Sequence, residues 1–387
     1  MTAPLASHYT AFRVAERCLL TGHSHQAWPD AGFLGQQRAW LDAAALVDDK
    51  WERAAEQATA VRHGFARLLG DAAANVALGQ NTHELVARWL SALPLRTRPR
   101  IITTSGEFHT IRRLVDRLAE EAIEVHKEAP HPAGTLASRL AAAIDNRTAC
   151  VMVSSVLFET AEIVPGLHDL VTACDRAGVA LLVDAYHHLN VVPFDVERLG
   201  LASAFVTGGG YKYCQLGEGN AFLRVPPDTR LRPVLTGWYA EFERLERTPE
   251  RRVEYGPGAA AFAGATYDPT AHYRAAAVFA FHEEQRLTPD HLHAINRRQV
   301  QLLKSRFEAL DLDPARAQVT SMDERLRGGF LAIHMPNAQE VSRALRQRGV
   351  LTDARGEILR LGPAPYLRDD QLAEGIDALA SVLRAPR

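Results

Sequence analysis

Cysteine is scarce in this 387-residue chain: Cys18, Cys150, Cys174 and Cys214 are all there is. No pair stands at C-x-x-C spacing, which excludes a disulfide framework and a thiolate metal cage and fits reduced thiols in a reducing compartment. Charge of one sign is also missing. With 44 Lys and Arg against 46 Asp and Glu, the formal net charge is −2, so neither nucleic acid nor an anionic membrane surface is an expected partner. No apolar run approaches the roughly 20 residues of a membrane helix. The opening MTAPLASHYTAFRVAER has no basic end followed by an apolar core, so no secretory leader is expected and the reading is cytoplasmic. Repeats and low-complexity tracts are absent.

What is present is an alternation. Short apolar runs at Arg100–Thr104, Ala149–Ser154, Val179–Asp184, Ala204–Thr207 and Ala221–Val225 read as buried strands. Between them, Ile111–Ala122 and Leu167–Arg176 carry apolar residues at helical spacing. Strands joined by crossover helices predict an α/β fold, a mainly parallel sheet covered by helices, with ligands just beyond the strands' carboxyl ends. From Thr270 to Leu310 the pattern predicts two long helices broken near Thr288-Pro289-Asp290. A strand at Gly329–Met335, a helix at Ala338–Gln347, a strand before Gly362-Pro363 and a last helix from Asp369 to Leu383 then predict a small α+β unit. The expected division is an N-terminal arm over 1–30 that contributes to the site, a large domain over 31–290 and a small domain over 291–387.

Two strand ends carry the chemistry. One apolar run delivers Asp184 within Val183-Asp184-Ala185-Tyr186-His187, and the next leads through Gly208-Gly209-Gly210 to Lys212 between Tyr211 and Tyr213. An acid at one strand end and a lysine beyond the next suit pyridoxal phosphate (PLP): the amine closes a Schiff base and the carboxylate keeps the pyridine nitrogen protonated. Burial among glycines and tyrosines would pull the lysine below its aqueous pKa of about 10.4. A phosphate-binding loop of the G-K-[ST] kind is excluded, since tyrosine flanks Lys212 on both sides. Taken alone, Asp184 equally suits a turn cap, and His187 either a structural role or contact with a cofactor ring.

Other candidates each leave two readings. Asn81 or Thr82, before the helical stretch Leu85–Leu93, suits a plain helix cap or a phosphate site at the helix start. Phe108 suits core or a stacking ring, while Ser154 and Ser155 end a strand of the same sheet. Arg360 lies inside an apolar strand, where either a substrate carboxylate or an internal salt bridge would pair it. His23-Ser24-His25 has the look of a metal pair but no third ligand, so no metal is expected.

On these residues the chain resembles the fold-type I PLP enzymes of the class V aminotransferase group, and among them the kynureninases. The resemblance is carried by the Asp-x-x-His at Asp184–His187, Tyr211-Lys212-Tyr213, Gly237-Trp238, Arg327-Gly328-Gly329, the strand Arg360 before Pro363, and Leu20-Thr21-Gly22-His23-Ser24. It implies that Lys212 is the Schiff-base lysine, Asp184 the pyridinium partner, Tyr211 a phosphate donor and acid, and that Asn81 and Thr82 hold the phosphate. Phe108 would stack on the ring, Ser155 and His187 would line it, and Arg360 would bind the amino-acid carboxylate. It further implies a homodimer with shared active sites, in which Trp238 and Thr266 reach the partner's phosphate. The implied reaction is hydrolytic Cβ–Cγ cleavage of an amino acid, with alanine and an aromatic or other acid released, and His23, His25 and His109 near the acyl portion. Three departures bear on the substrate: the family's Phe-Pro-Thr-Asp is Phe108-His109-Thr110-Ile111 here, its Asn-Tyr-Arg-Thr-Gly is Leu157-Phe158-Glu159-Thr160-Ala161, and the asparagine of its Leu-x-Gly-Asn-Ser is His23. An aminotransferase or Cβ-lyase is the alternative outcome on the same cofactor, and a non-catalytic homologue the alternative from another class.

Overall fold

A computed structural model describes residues 5–245 and 252–384; the first four residues of the expected N-terminal arm lie outside it. The arm contributes β1 (Cys18–Leu19) and leads into two helices, α1 (Asp30–Leu46) and α2 (Lys50–Leu69). The large unit follows as β2 (Val76–Gly79), α3 (Thr82–Ser91), β3 (Arg100–Thr104), α4 (His109–Ala119), β4 (Glu124–Glu128), α5 (Leu136–Ala142), β5 (Thr148–Ser154), α6 (Leu167–Ala177), β6 (Ala180–Asp184), β7 (Phe205–Gly209) and β8 (Ala221–Arg224). Its seven strands run in the order β2-β8-β7-β6-β5-β3-β4. The β7-β6-β5-β3-β4 ladder is parallel, and β8 runs antiparallel to both β7 and β2. This is the α/β fold with a mainly parallel sheet under helices, with the antiparallel strand inserted beside β7 rather than at the rim.

Alternation explains why the central strands are apolar throughout. Along β5, Cys150 and Met152 enter the core on one face of the sheet, while Val151 and Val153 enter the core on the other. In β6, Leu181 and Val183 side with the latter and Leu182 with the former. A strand buried on both faces has no polar row to expose.

After α7 (Thr270–Glu284) and α8 (Pro289–Glu308) come β9 (Gln318–Val319), β10 (Leu331–His334), α9 (Ala338–Gln347), β11 (Val350–Leu351), β12 (Asp353–Arg355), β13 (Ile358–Leu361) and α10 (Asp369–Arg384). An antiparallel sheet of order β12-β13-β10-β9 packs with these helices around a separate core. The N-terminal arm belongs to that core: Tyr9, Val14 and Leu20 are fully buried in it, and β1 pairs in parallel with β11. A further bridge, Thr21 to Gly362, lays the arm beside the end of the strand that carries Arg360. Among the described residues no helix is long and apolar enough to cross a membrane.

Candidate active site

The carboxyl ends of β5 and β6, the loop after β7 and the start of α3 enclose a cavity of about 370 Å³. Lys212 and Asp184 both line it, and both are buried. The lysine Nζ shares a 2.7 Å hydrogen bond with His187 Nε2 and lies 4.5 Å from the centre of the Tyr186 ring and 5.0 Å from that of Phe108. Burial is the main cause that pulls the Lys212 amine down to about 7, with Asp184 opposing it. The same desolvation pushes the Asp184 carboxyl up, against the Tyr186 amide and the Lys212 charge. Asp184 Oδ1 accepts from that amide at 2.8 Å, which fixes the carboxyl at the strand end. His187 is held neutral, first by burial and then by the charge of Lys212. Its Nδ1 is buried and meets no protein partner.

The glycines before the lysine are required by close approach. A Cβ on Gly209 would collide with Tyr186 Oη, so the strand can pass behind that ring only without a side chain. Tyr186 in turn packs at 4.9 Å against Tyr211, whose hydroxyl burial keeps protonated.

At the other wall, Asn81 is the residue that caps α3: its Oδ1 accepts from Glu84 N at 2.9 Å, while Glu84 Oε2 reaches back to Gln80 N. Capping consumes one first-turn donor and leaves the amides of Thr82 and His83 without an intrahelical acceptor. Gln80, Asn81, Thr82 and His83 all line the cavity, so a helix N-terminus faces into it and favours an anion there.

Phe108 lines the same space, held edge-on by Phe158 at 5.5 Å. The remaining candidates are placed differently. Ser154 lines the cavity and gives its hydroxyl to Glu107, whereas Ser155 does not line it and spends its hydroxyl on the Asp184 carbonyl at 3.2 Å and on His188 Nδ1. His109 is exposed beside Arg112, and Thr110 lines the cavity in its stead. His23 and His25 diverge, so they make no metal pair. The first is fully buried against Phe330 and Asp353; the second is exposed, stacked 4.9 Å from the Tyr211 ring and 3.6 Å from Glu218. Arg360 lies behind the wall, with Nη1 donating to the Phe158 carbonyl at 2.6 Å and Nη2 to Asp353. Trp238 and Thr266 meet each other, indole Nε1 to Oγ1 at 3.3 Å, and neither lines this cavity. Ile111, standing where the resembled family has Asp, is buried in the core with Leu85 and Trp89.

Three participants escaped the sequence reading. Tyr186 is flanked by the assigned Asp184 and His187, and its position two residues past a strand-end acid was a usable signal. Glu107 is fully buried; it accepts from Ser154 N at 3.0 Å, Ser154 Oγ at 2.6 Å and Thr104 Oγ1 at 2.9 Å. Asp353 pairs with Arg360 across the β12–β13 hairpin. Nothing local marks either acid, because each is significant only through strands distant in sequence.

Comparison with known proteins agrees with this geometry. The kynureninase C-terminal domain family matches residues 293–379. A kynureninase from Burkholderia mallei (strain SAVP1) is 29% identical over 256 residues, which cover 62% of this chain and 58% of that protein, so the match spans little more than half of the relative. An uncharacterized aminotransferase, YcbU, from Bacillus subtilis (strain 168) is 22% identical over 350 residues, 88% of each chain. Among solved structures, a C-DES mutant with glycine covalently linked to its PLP cofactor superposes with TM-score 0.83 at 14% identity, covering 98% of this chain and 99% of that one. An apo cysteine desulfurase from Thermococcus onnurineus NA1 gives 0.81 at 14% identity, covering 99% of both. The fold is that of the fold-type I PLP enzymes. Within it, the chain is kynureninase-like in sequence.

Proposed function

We propose that this protein is a PLP-dependent enzyme that cleaves the Cβ–Cγ bond of an amino acid hydrolytically, in the manner of a kynureninase, releasing alanine and an acid. One observation carries the reading: a desolvated lysine, a strand-end carboxylate and a helix N-terminus face the same cavity. The residues fit the cofactor. A buried acid suits a pyridinium, the free first-turn amides of α3 suit a phosphate, and the orphaned polar edge of His187 lies beside the lysine.

When bound, PLP supplies an aldehyde for the lysine and a cationic ring that draws electron density from the substrate. Asp184 holds the proton on the ring nitrogen, and Asn81 with the Thr82 and His83 amides anchors the phosphate. Phe108, on the same cavity wall, would lie against the ring. Lys212, its amine near 7, accepts and returns the proton at the substrate Cα near neutral pH. Arg360 would receive the substrate carboxylate; water adding at the Cγ carbonyl would supply the oxygen of the acid that leaves, and Tyr211, protonated, would give its proton to Cβ, which stays with the alanine.

A second reading, transamination, draws on the longer alignment with an aminotransferase and on Ile111 in place of an acid. Desulfuration is disfavoured: all four cysteines are buried, and burial pushes Cys18 and Cys174 up to about 12, leaving no ready thiolate. The pure protein incubated with kynurenine should release anthranilate; cofactor held in the amine form until a keto acid is added would instead select transamination. Lys212→Ala should abolish the visible absorbance of lysine-bound cofactor and turnover together, and retention of both would refute the role of Lys212.

A homodimer with shared sites is part of the proposal. Trp238, Tyr239 and Phe242 stack into one cluster, with centres 4.2 to 5.6 Å apart, and Trp238 and Phe242 are exposed. Val234 and Leu235 shortly before it are exposed as well, and surface apolar groups gathered in this way mark an interface.

A further inference from the structure

The β12–β13 hairpin brings together more charge than an internal salt bridge needs. Asp353 and Arg355, two apart on β12, project from one face, and Asp353 is the direct cross-strand neighbour of Arg360 on β13. A single oxygen, Asp353 Oδ2, serves three groups: it accepts from Arg360 Nη2, stands 3.6 Å from Arg355 Nη2 and lies 3.8 Å from His23 Nε2. His23 is fully buried and desolvation brings it down to about 3, so it is neutral. Two guanidinium ions therefore face one carboxylate, and one positive charge is left over. The buried Nε atoms of both Arg355 and Arg360 also have no acceptor. A bridge built only for stability would satisfy those donors. This one is a donor set short of one anion, next to Phe158, whose carbonyl holds Arg360 and whose side chain lines the cavity.

We propose that Asp353 is a placeholder for the substrate carboxylate: it occupies Arg360 in the free enzyme and passes to Arg355 when an amino acid's carboxylate takes its place. The inference rests on the proposed function, in which Arg360 receives that carboxylate, and adds two specificity-determining residues, Asp353 and Arg355. Arg355 is the receiver because it already stands beside the same oxygen and has an unused buried donor. Monocarboxylate amino acids are the ligand class, since one added negative charge neutralises the group. Asp353 tunes affinity by competing, so that Arg360 is never a bare buried cation between turnovers.

The test is calorimetric binding of L-alanine and of L-alaninamide, which lacks the carboxylate, to the holoenzyme. Asp353→Asn should bind L-alanine roughly tenfold more tightly and leave L-alaninamide unchanged, because a competitor for Arg360 has gone. Arg355→Gln should weaken L-alanine roughly tenfold, and the double variant should bind it as tightly as Asp353→Asn alone, roughly tenfold tighter than the parent; two independent effects would instead cancel to the parent's affinity, and this non-additivity is what a handover requires. L-Alanine affinity unchanged or weaker in Asp353→Asn, with the thermal midpoint and cofactor absorbance intact, overturns the proposal. So does a double variant that binds L-alanine with the parent's affinity, the result of two independent effects. Wild-type protein that shows no absorbance of lysine-bound cofactor would instead sink the functional reading, and this inference with it.

Discussion

Two buried acids stand at the carboxyl end of the sheet, Asp184 as the last residue of β6 and Glu107 in the loop after β3, and they behave differently. Asp184 reaches the cavity; Glu107 lies behind Ser154, the residue paired with Asp184 on the neighbouring strand. Replacing Asp184 with Ala should cut turnover by about a hundredfold or more and weaken PLP retention, because Asp184 is the buried acid of the cavity wall, the other acid there, Glu218, being exposed beside His25. Steady-state kinetics with an absorbance titration of cofactor checks it, and full turnover would remove the assignment. Glu107 gives a stability prediction with a definite sign. Burial raises its carboxyl from 4.5 to about 7, despite three donated hydrogen bonds and with Asp184 adding to the rise. The folded state therefore holds a proton that the unfolded state releases between those values. The stabilisation is complete below pH 4.5 and is lost as pH rises through 7, up to about 3 kcal/mol. Glu107→Gln, which stays neutral, should gain stability relative to the parent at pH 8 and not at pH 4.5, measured by denaturant unfolding of the apo proteins. An equal difference at both values would show that Glu107 is not protonated in the fold.

The helices and strands differ in how plainly the sequence announces them. The central strands β3, β5, β6, β7 and β8 were legible because burial on both faces makes them continuous apolar runs, and the break between α7 and α8 because Thr288 caps and Pro289 starts the second helix. Others were not, among them α1, α2 and β4. In α1 the buried face is made of Gly32, Gly35 and Ala39, while Phe33, Leu34, Trp40 and Leu41 face outward, so the usual apolar period is inverted. Gly35 explains this: a Cβ there would sit 2.5 Å from the Tyr273 carbonyl of α7, so the two helices pack backbone to backbone. α2 gave no signal that was used, and β4, Glu-Val-His-Lys-Glu, is an edge strand whose charges discourage further pairing and disguise it. Of the site, the placement of Asp184 and Lys212 was legible, the one as the last residue of β6 and the other in the glycine-led loop after β7, whereas which of Ser154 and Ser155 lines the cavity depends on where the pleat stops. At α3 the cap itself is a test. Asn81→Ala should cost about 1 kcal/mol of apo stability through the lost Glu84 bond. It should also weaken PLP binding, read by fluorescence titration; unchanged cofactor affinity would confine Asn81 to capping.

Trp238 and Thr266 hold each other yet lie outside the cavity of their own chain, on a surface crowded with exposed aromatic and aliphatic groups. A residue of that kind is accounted for if a second copy supplies the missing wall. In a two-fold dimer each site would then draw Lys212 from one protomer and Trp238 from the other. This makes a prediction that no monomeric arrangement can meet. Lys212→Ala and Trp238→Ala variants, each nearly inactive by itself, should regain activity when unfolded and refolded together. In the mixed dimer, one site would have both lesions and the other would have neither. Random pairing gives mixed dimers in half of the population with one intact site of two, so the recovered rate should approach about a quarter of the parent's. Sedimentation of the mixture should show a dimer throughout. Activity no higher than the sum of the two separate variants, in material that sediments as a dimer, would show that Trp238 serves its own chain.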